Sequence, residues 1–188
     1  VARTTGRDAG ATRELVLRAA AAEVGDHGLG ASMDAIAQRA GVSKGGLLYH
    51  FPSKDALIVA LADDVLGRYR ASIESHLDPR AGAGRLTRAV VLASLDAADD
   101  ESERDRTLLL GRLLTIPGVR DRVIEDNARW REELAADGLE PAAQAVVLAA
   151  ADGVSTAALW AATPSRAERD MLRERLLAMV DAAAIVGA

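Results

Sequence analysis

From Ala11 to the end of the chain, apolar residues recur every three or four positions, interrupted only by short clusters of Gly, Pro and Ser. Such spacing suits helices that each bury one face; strands would alternate apolar and polar residues instead. Composition strengthens the point. Forty of the 188 residues are alanine, the best helix former, against one Phe, two Trp and two Tyr. The expected fold class is all-α, with about nine helices.

The interruptions place those helices. A first runs over about 11–26, with Val16, Ala20 and Val24 on one face and Gly28 as terminator. Ser32 is the N-cap expected for a short helix through Ala40 that closes on Gly41. Ser43 caps another, which ends near His50 because Pro52 disfavours helix at Phe51. Ser53 then opens a long helix over 53–77, carrying Leu57, Leu61, Val65, Tyr69 and Ile73. Pro79, Gly82 and Gly84 make the next break, and a fifth helix spans about 84–98. The acidic run from Asp96 to Asp105 reads as a solvated loop, lacking the Gly and the alternating Asp of a calcium loop. Leu108, Leu109, Leu110, Leu113 and Leu114 make a sixth helix apolar nearly all round, hence central, up to Pro117 and Gly118. A seventh aligns Val119, Val123, Trp130 and Leu134. Pro141 opens an eighth through 162, and Thr163-Pro164-Ser165 separates it from the ninth.

The last two helices share a second pattern. Val146, Ala150, Gly153, Ala157 and Trp160 recur at steps of four and three, as do Leu172, Leu176, Met179, Ala183 and Val186. A 3.5-residue period packs helices at a shallow angle. The seams close either an intramolecular core or a four-helix interface with a second copy, and two adjacent matching seams favour the homodimer.

Several chemistries are excluded. There is no cysteine, so no disulfide, thiol nucleophile, zinc knuckle or iron–sulfur cluster forms. The three histidines, His27, His50 and His76, lack an i+4 histidine partner, and no metal or cofactor is expected. Ser155 near Asp152 has no histidine in reach by sequence, so an enzyme is not expected. The most apolar stretch, 142–162, is broken by Gln144, Asp152, Ser155 and Thr156 and makes a poor membrane span. No charged and then apolar leader opens the chain, which leads us to expect the cytoplasm.

Taken whole, a net charge of −5 argues against a nucleic-acid binder. The charge is unevenly distributed, however. Residues 1–54 carry seven basic and five acidic side chains, and the remainder carries a net of −7. Lys44 and Lys54, the two lysines, both lie in the positive end.

That end also holds two short helices joined by Ala40-Gly41-Val42-Ser43, a helix-turn-helix. Gly41 supplies the tight turn, Val42 plugs the angle, and Ser43 caps the second helix. Ile36, Ala37, Val42, Leu47 and Phe51 form the buried side, so Tyr49 points nearly opposite, flanked by Gly45, Gly46 and Leu48. The run Gly41, Val42, Ser43, Lys44, Gly45, Leu47, Tyr49, His50, Phe51, Ser53, Lys54 and Leu57 resembles the TetR (tetracycline repressor) family. Ser32, Met33, Asp34, Ile36, Ala37 and Ala40 extend the resemblance upstream, and it covers roughly residues 13–58.

The resemblance implies a DNA-binding domain over 11–53, preceded by a basic arm over 1–10. A ligand-binding and dimerisation domain over 54–188 follows, joined by the helix 53–77. It implies that Lys44 reaches a guanine edge or a phosphate in the major groove, and that Tyr49 and His50 touch the DNA backbone. Lys54 would grip a phosphate at the start of the fourth helix, Ser32 and Ser43 would meet phosphates from cap positions, and Arg3 and Arg7 would enter the minor groove. Plain alternatives stay open: Tyr49 as a surface aromatic, His50 as a capping residue. Two departures stand out. Leu48 occupies a position where many members carry a second aromatic, and the resemblance then implies apolar contact with a thymine methyl in place of a hydrogen bond there. Gly45 and Gly46 in succession strip the groove-facing helix of side chains, so operator choice is expected to lean on DNA shape.

The resemblance further implies double-stranded operator DNA, a second copy of the chain and a small-molecule effector as partners, with no membrane. Polar groups interrupting apolar faces are the pocket candidates: Arg112, Asn127, Asp152, Ser155 and Thr156. Trp130 stands beside them, and Tyr69 and His76 would line the floor. Five aromatics leave little stacking surface, which favours an aliphatic or compact ligand. The expected function is a bacterial repressor released from its operator by that ligand. An activator, a regulator answering to a protein partner, or a helical interaction protein without ligand remain alternatives.

Overall fold

In the computed structural model, residues 9–184 are described. Among them are nine α-helices: α1 (Ala9–His27), α2 (Met33–Ala40), α3 (Lys44–His50), α4 (Lys54–Ser75), α5 (Arg85–Asp99), α6 (Glu101–Leu113), α7 (Pro117–Ala135), α8 (Pro141–Ser155) and α9 (Arg166–Ala182). Single 3₁₀ turns at Gly28–Gly30 and Ala157–Trp160 follow α1 and α8. No strand occurs among the described residues; one isolated bridge pairs Leu139 with Ala184.

The chain divides into two compact units. The first holds residues up to Val65 together with Arg112–Arg122. Its buried side chains include Val16, Ala20 and Val24 of α1, Ile36 and Ala37 of α2, Leu47 of α3, Phe51, and Leu57, Ile58 and Leu61 of α4. The later segment adds Leu113 and Val119, both fully buried, while Arg122 pairs with Asp63 at 3.3 Å. Gly118 lies against Val59, where an added Cβ would come within 3.4 Å. α1 and α2 are tied at the surface as well: Arg39 reaches Glu23 at 3.3 Å and Asp26 at 2.8 Å.

The second unit is built on α5, which packs against both α8 and α9. Val91 and Leu95 meet Val147, Val154, Leu176 and Val180 in its core. Gly84 adopts φ +79 at the start of α5, where a Cβ would run into Val180 at 2.6 Å and Leu139 at 2.9 Å. Asp137 supplies the cap that Gly84 cannot. Its carboxylate accepts the N–H of Leu86 (2.9 Å), the N–H of Thr87 (2.7 Å) and the Thr87 hydroxyl (2.7 Å). Gln144 of α8, buried, then donates to the Thr87 hydroxyl and to the Leu134 carbonyl, each at 2.9 Å.

Three expectations need correction. The acidic run is not a loop: α5 extends through Asp99, α6 begins at Glu101, and only Asp100 separates them. Asp100 accepts the Ser102 N–H at 2.7 Å, and Glu101 and Glu103 sit in the first turn of α6, where carboxylates complement the helix dipole. The run is helical, and most of its carboxylates are exposed. The eighth helix stops at Ser155 rather than reaching 162, because the hydroxyls of Ser155 and Thr156 turn back to the Asp152 carbonyl at 3.1 and 2.7 Å. The sixth helix is not apolar all round: Leu109 and Leu113 are buried, while Leu108 and Leu114 are exposed.

Candidate nucleic-acid interface and ligand cavity

The helix-turn-helix forms by local rules. Ser32 accepts the Ala35 N–H at 3.1 Å, opening α2, and Ser43 accepts the Gly46 N–H at 3.0 Å, opening α3. Between them Gly41 adopts φ +66, and the Val42 N–H reaches the Ala37 carbonyl at 3.1 Å. Ser53 repeats the capping at α4, accepting from Ala56 at 3.1 Å. Leu47 is fully buried and Phe51 nearly so, with the Arg13 guanidinium 5.4 Å from the Phe51 ring centre.

Burying Leu47 turns the other face of α3 to solvent. Tyr49 is 83% exposed, and Lys44, Gly45 and Leu48 are exposed with it, as are Ser32 and Ser43. Gly46 and His50 are half-buried, the His50 ring meeting that of Tyr49 edge-on at 5.2 Å. The Lys44 ammonium lies 3.0 Å from the Asp34 carboxylate, which brings the N-termini of α2 and α3 side by side. Lys54, half-buried, donates to the Leu29 carbonyl at 2.5 Å. Arg3 and Arg7 lie outside the described residues. The arrangement offers hydroxyls, an ammonium, a phenol and two glycines on one side of a short rigid helix, which suits groove and phosphate contact.

The second unit contains a cavity of about 450 Å³ between α4, α5, α7 and α8. Tyr69 and Ile73 line it from α4, Val90 from α5, and Asn127, Trp130, Arg131 and Leu134 from α7; α8 contributes Ala145, Leu148, Ala149 and Asp152. The Tyr69 hydroxyl shares a hydrogen bond with Ser94 at 3.0 Å, and burial raises its pKa. Burial likewise raises the pKa of Asp152. Arg70 stacks its guanidinium 4.1 Å from the Trp130 ring centre and is held by Glu133 at 3.1 Å and Asp126 at 3.5 Å.

Four of the expected pocket residues, Tyr69, Asn127, Trp130 and Asp152, thus converge. The other four do not line the cavity. Arg112 donates to the carbonyls of Val24 (3.2 Å) and Gly25 (2.6 Å), capping the last turn of α1, whose carbonyls have no intrahelical partner. His76 pairs with Asp96 at 3.2 Å, and Ser155 and Thr156 close the end of α8. Sequence reasoning missed Arg131, although its position four residues after Asn127 puts both on one face of α7. It also missed Asp34, whose signal was its place in the first turn of α2 opposite the start of α3.

The seam residues divide. Val146, Gly153 and Trp160 are exposed and Ala150 half-buried, Trp160 lying beyond α8 on the 3₁₀ turn. Ala157, Leu176 and Ala183 are buried within the protomer, and Leu172 and Met179 pack partly against the same core. Val186 lies outside the described residues. Among the described residues no three His, Asp or Glu side chains group to hold a metal, and no helix is long and apolar enough to cross a membrane.

Comparison with known proteins bears on both regions. A family model described as "Bacterial regulatory proteins, tetR family" matches residues 16–61, and "Tetracyclin repressor-like, C-terminal domain" matches 84–181. The HTH-type transcriptional regulator RutR of Escherichia coli K12 is 30% identical over 128 residues, 66% of this chain. The chain spans 60% of RutR's length. The uncharacterized HTH-type transcriptional regulator TtgW of Pseudomonas putida is 30% identical over 133 residues, 69% of this chain and 96% of that protein. A crystal structure of a Rhodococcus transcriptional regulator is similar with TM-score 0.70 at 22% identity, covering 93% of this chain and 99% of its own.

Proposed function

Because the chain belongs to the TetR family of bacterial regulatory proteins, we propose that it is a sequence-specific DNA-binding regulator, most simply a repressor released from its operator by a small molecule. The observation that carries this reading is the two-sided third helix: Leu47 fully buried, Tyr49 83% exposed, and Lys44 at its first turn. Ser32, Ser43, Lys44, Gly45, Gly46, Leu48, Tyr49, His50 and Lys54 form the DNA-facing set, with Arg3 and Arg7 reaching the minor groove from the arm. The cavity lined by Tyr69, Asn127, Trp130 and Asp152 takes the effector.

Operator palindromes need a two-fold protein, and exposed Val146 and Gly153 with half-buried Ala150 on α8 are where a second copy docks, joined by Leu172 and Met179 of α9. An operator on a bacterial chromosome places the protein in the cytoplasm. α4 is the lever, since it starts at Lys54 beside α3 and contributes Tyr69 and Ile73 to the cavity wall. A ligand that prefers the arrangement in which the two DNA-reading heads are splayed shifts the population and lowers operator affinity.

The test is selection of bound duplexes from random DNA, followed by anisotropy titration of the winner at several salt concentrations. The expected result is an inverted-repeat site and an affinity that falls steeply with salt. No enriched site, or no retention on heparin, would sink the reading.

A further inference from the structure

The corner between α1 and α2 reads Gly25-Asp26-His27-Gly28-Leu29-Gly30, three glycines in six residues. Glycine loses more backbone freedom on ordering than any other residue, so such a corner keeps one shape only where something ties it down. The main chain closes the turn with the Ala31 N–H on the Gly28 carbonyl at 3.2 Å. Cationic side chains hold the rest. Arg112 donates to the Val24 and Gly25 carbonyls, and Lys54 donates to the carbonyl of Leu29 at 2.5 Å. Among the described residues nothing else donates to that carbonyl.

The two lysines therefore stand differently. The Lys44 side chain is 59% exposed and faces a carboxylate that is itself exposed. Lys54 is half-buried and reaches back across 25 positions to a main-chain oxygen. A carboxylate on a free side chain can swing aside for a phosphate. A backbone carbonyl cannot, and a phosphate that took the ammonium would leave the Leu29 carbonyl without its donor.

The tether reaches the DNA-facing side by a short path. Ala31 is buried, and Ser32 then opens α2 by accepting the Ala35 N–H. Asp34, in the same first turn, meets Lys44 at the start of α3. Lys54 is the first residue of α4, so one run of contacts gathers the starts of three helices. We propose that Lys54 is a positioning residue for operator recognition. By holding the Gly28–Gly30 turn it sets the first turn of α2 beside α3, and it does not itself neutralise a phosphate. This rests on the DNA-binding reading and changes the part that the resemblance gives to Lys54.

The test uses the full chain, its selected operator and a shuffled duplex of the same length, titrated by anisotropy over a range of salt. Lys54→Met keeps the stem and removes the charge. It should lose about tenfold on the operator, the lower end for a hydrogen bond to a charged group, and little on the shuffled duplex. The log–log salt slope should barely change, whereas loss of a phosphate contact weakens both duplexes alike and flattens the slope by about one unit. Lys54→Arg still offers Leu29 a donor and should recover most of the loss. Gly28→Ala leaves both lysines in place and strains the turn itself, since Gly28 sits at φ +66 with open space around it. It should show the same operator-only loss. Amide exchange at residues 32–35 should quicken in Lys54→Met and Gly28→Ala but not in Lys44→Ala. Equal losses on both duplexes with a flattened slope, or an operator affinity unchanged in Lys54→Met, would overturn the inference and leave the DNA-binding reading standing. A chain with no operator at all would end both. Should Lys54→Met not fold, Gly28→Ala decides: loss on the operator alone supports the tether, and loss on both duplexes or on neither overturns it.

Discussion

Lys44, the first residue of α3, holds its ammonium 3.0 Å from the carboxylate of Asp34 in the helix before it. In the free protein, therefore, the cation proposed to reach DNA already has an anion. Both side chains are more than half exposed, so the pair itself is weak. On DNA, a phosphate or guanine edge competes for the same ammonium, and Asp34 stands as a negative charge near the polyanion. Lys44→Ala should weaken binding and flatten the salt dependence by about one unit of log–log slope. Asp34→Asn should tighten binding, up to about fivefold at low salt, the range of an exposed pair. Anisotropy titrations at two ionic strengths measure both.

Gly45 is helical, and a Cβ built on it meets nothing within 4 Å. Gly45→Ala should therefore stabilise the fold by about 0.5–1 kcal/mol, the helix-propensity difference. The added methyl lies on the exposed face, so operator affinity should fall while thermal stability rises. A rise in both would mean that the backbone does not approach the DNA closely there.

Asp137 caps α5 with three hydrogen bonds and anchors the buried pair of Thr87 and Gln144. Asp137→Ala strands two backbone N–H groups and a hydroxyl, at a cost of about 2–3 kcal/mol. Urea denaturation followed by circular dichroism should show an earlier midpoint with little change in slope.

Two exposed carboxylates set the acid limit of the last helices. Glu140 accepts the N–H groups of Ala142 and Ala143, and Glu168 forms a capping box with Ser165. Both pKa values are lowered by these hydrogen bonds, from an ordinary 4.5. A lowered folded-state pKa means that the stabilisation is complete above 4.5 and is lost as pH falls through the folded values. Helicity should hold down to about that pH and decline below it. In Glu140→Gln with Glu168→Gln this part of the acid transition should shrink.

The helix-turn-helix was legible because its determinants are local: Ser32, Gly41, Ser43 and Ser53 each act within three or four residues. The cavity was half legible. Tyr69, Asn127, Trp130 and Asp152 interrupt apolar faces that do turn inward. Arg112 interrupts one too, but its partners are carbonyls at Val24 and Gly25, and no local pattern encodes a contact across 87 positions. Ser155 and Thr156 misled for the opposite reason, since their hydroxyls serve their own helix. The acidic run misled because charge reports exposure, and exposed residues can still be helical. Gln144 looked like an interruption of an apolar stretch, whereas it is a buried donor whose acceptors lie on two other elements.

The first unit is not one continuous segment: Arg112–Arg122 belong to it along with everything up to Val65. During synthesis the four leading helices emerge well before the piece that covers Val59 and caps α1 through Arg112. Until residue 122 has left the ribosome, the nascent chain carries uncapped carbonyls and an open apolar flank. A fragment cut after α4 would carry the same defects permanently, so it is a poor reagent and a target for proteolysis.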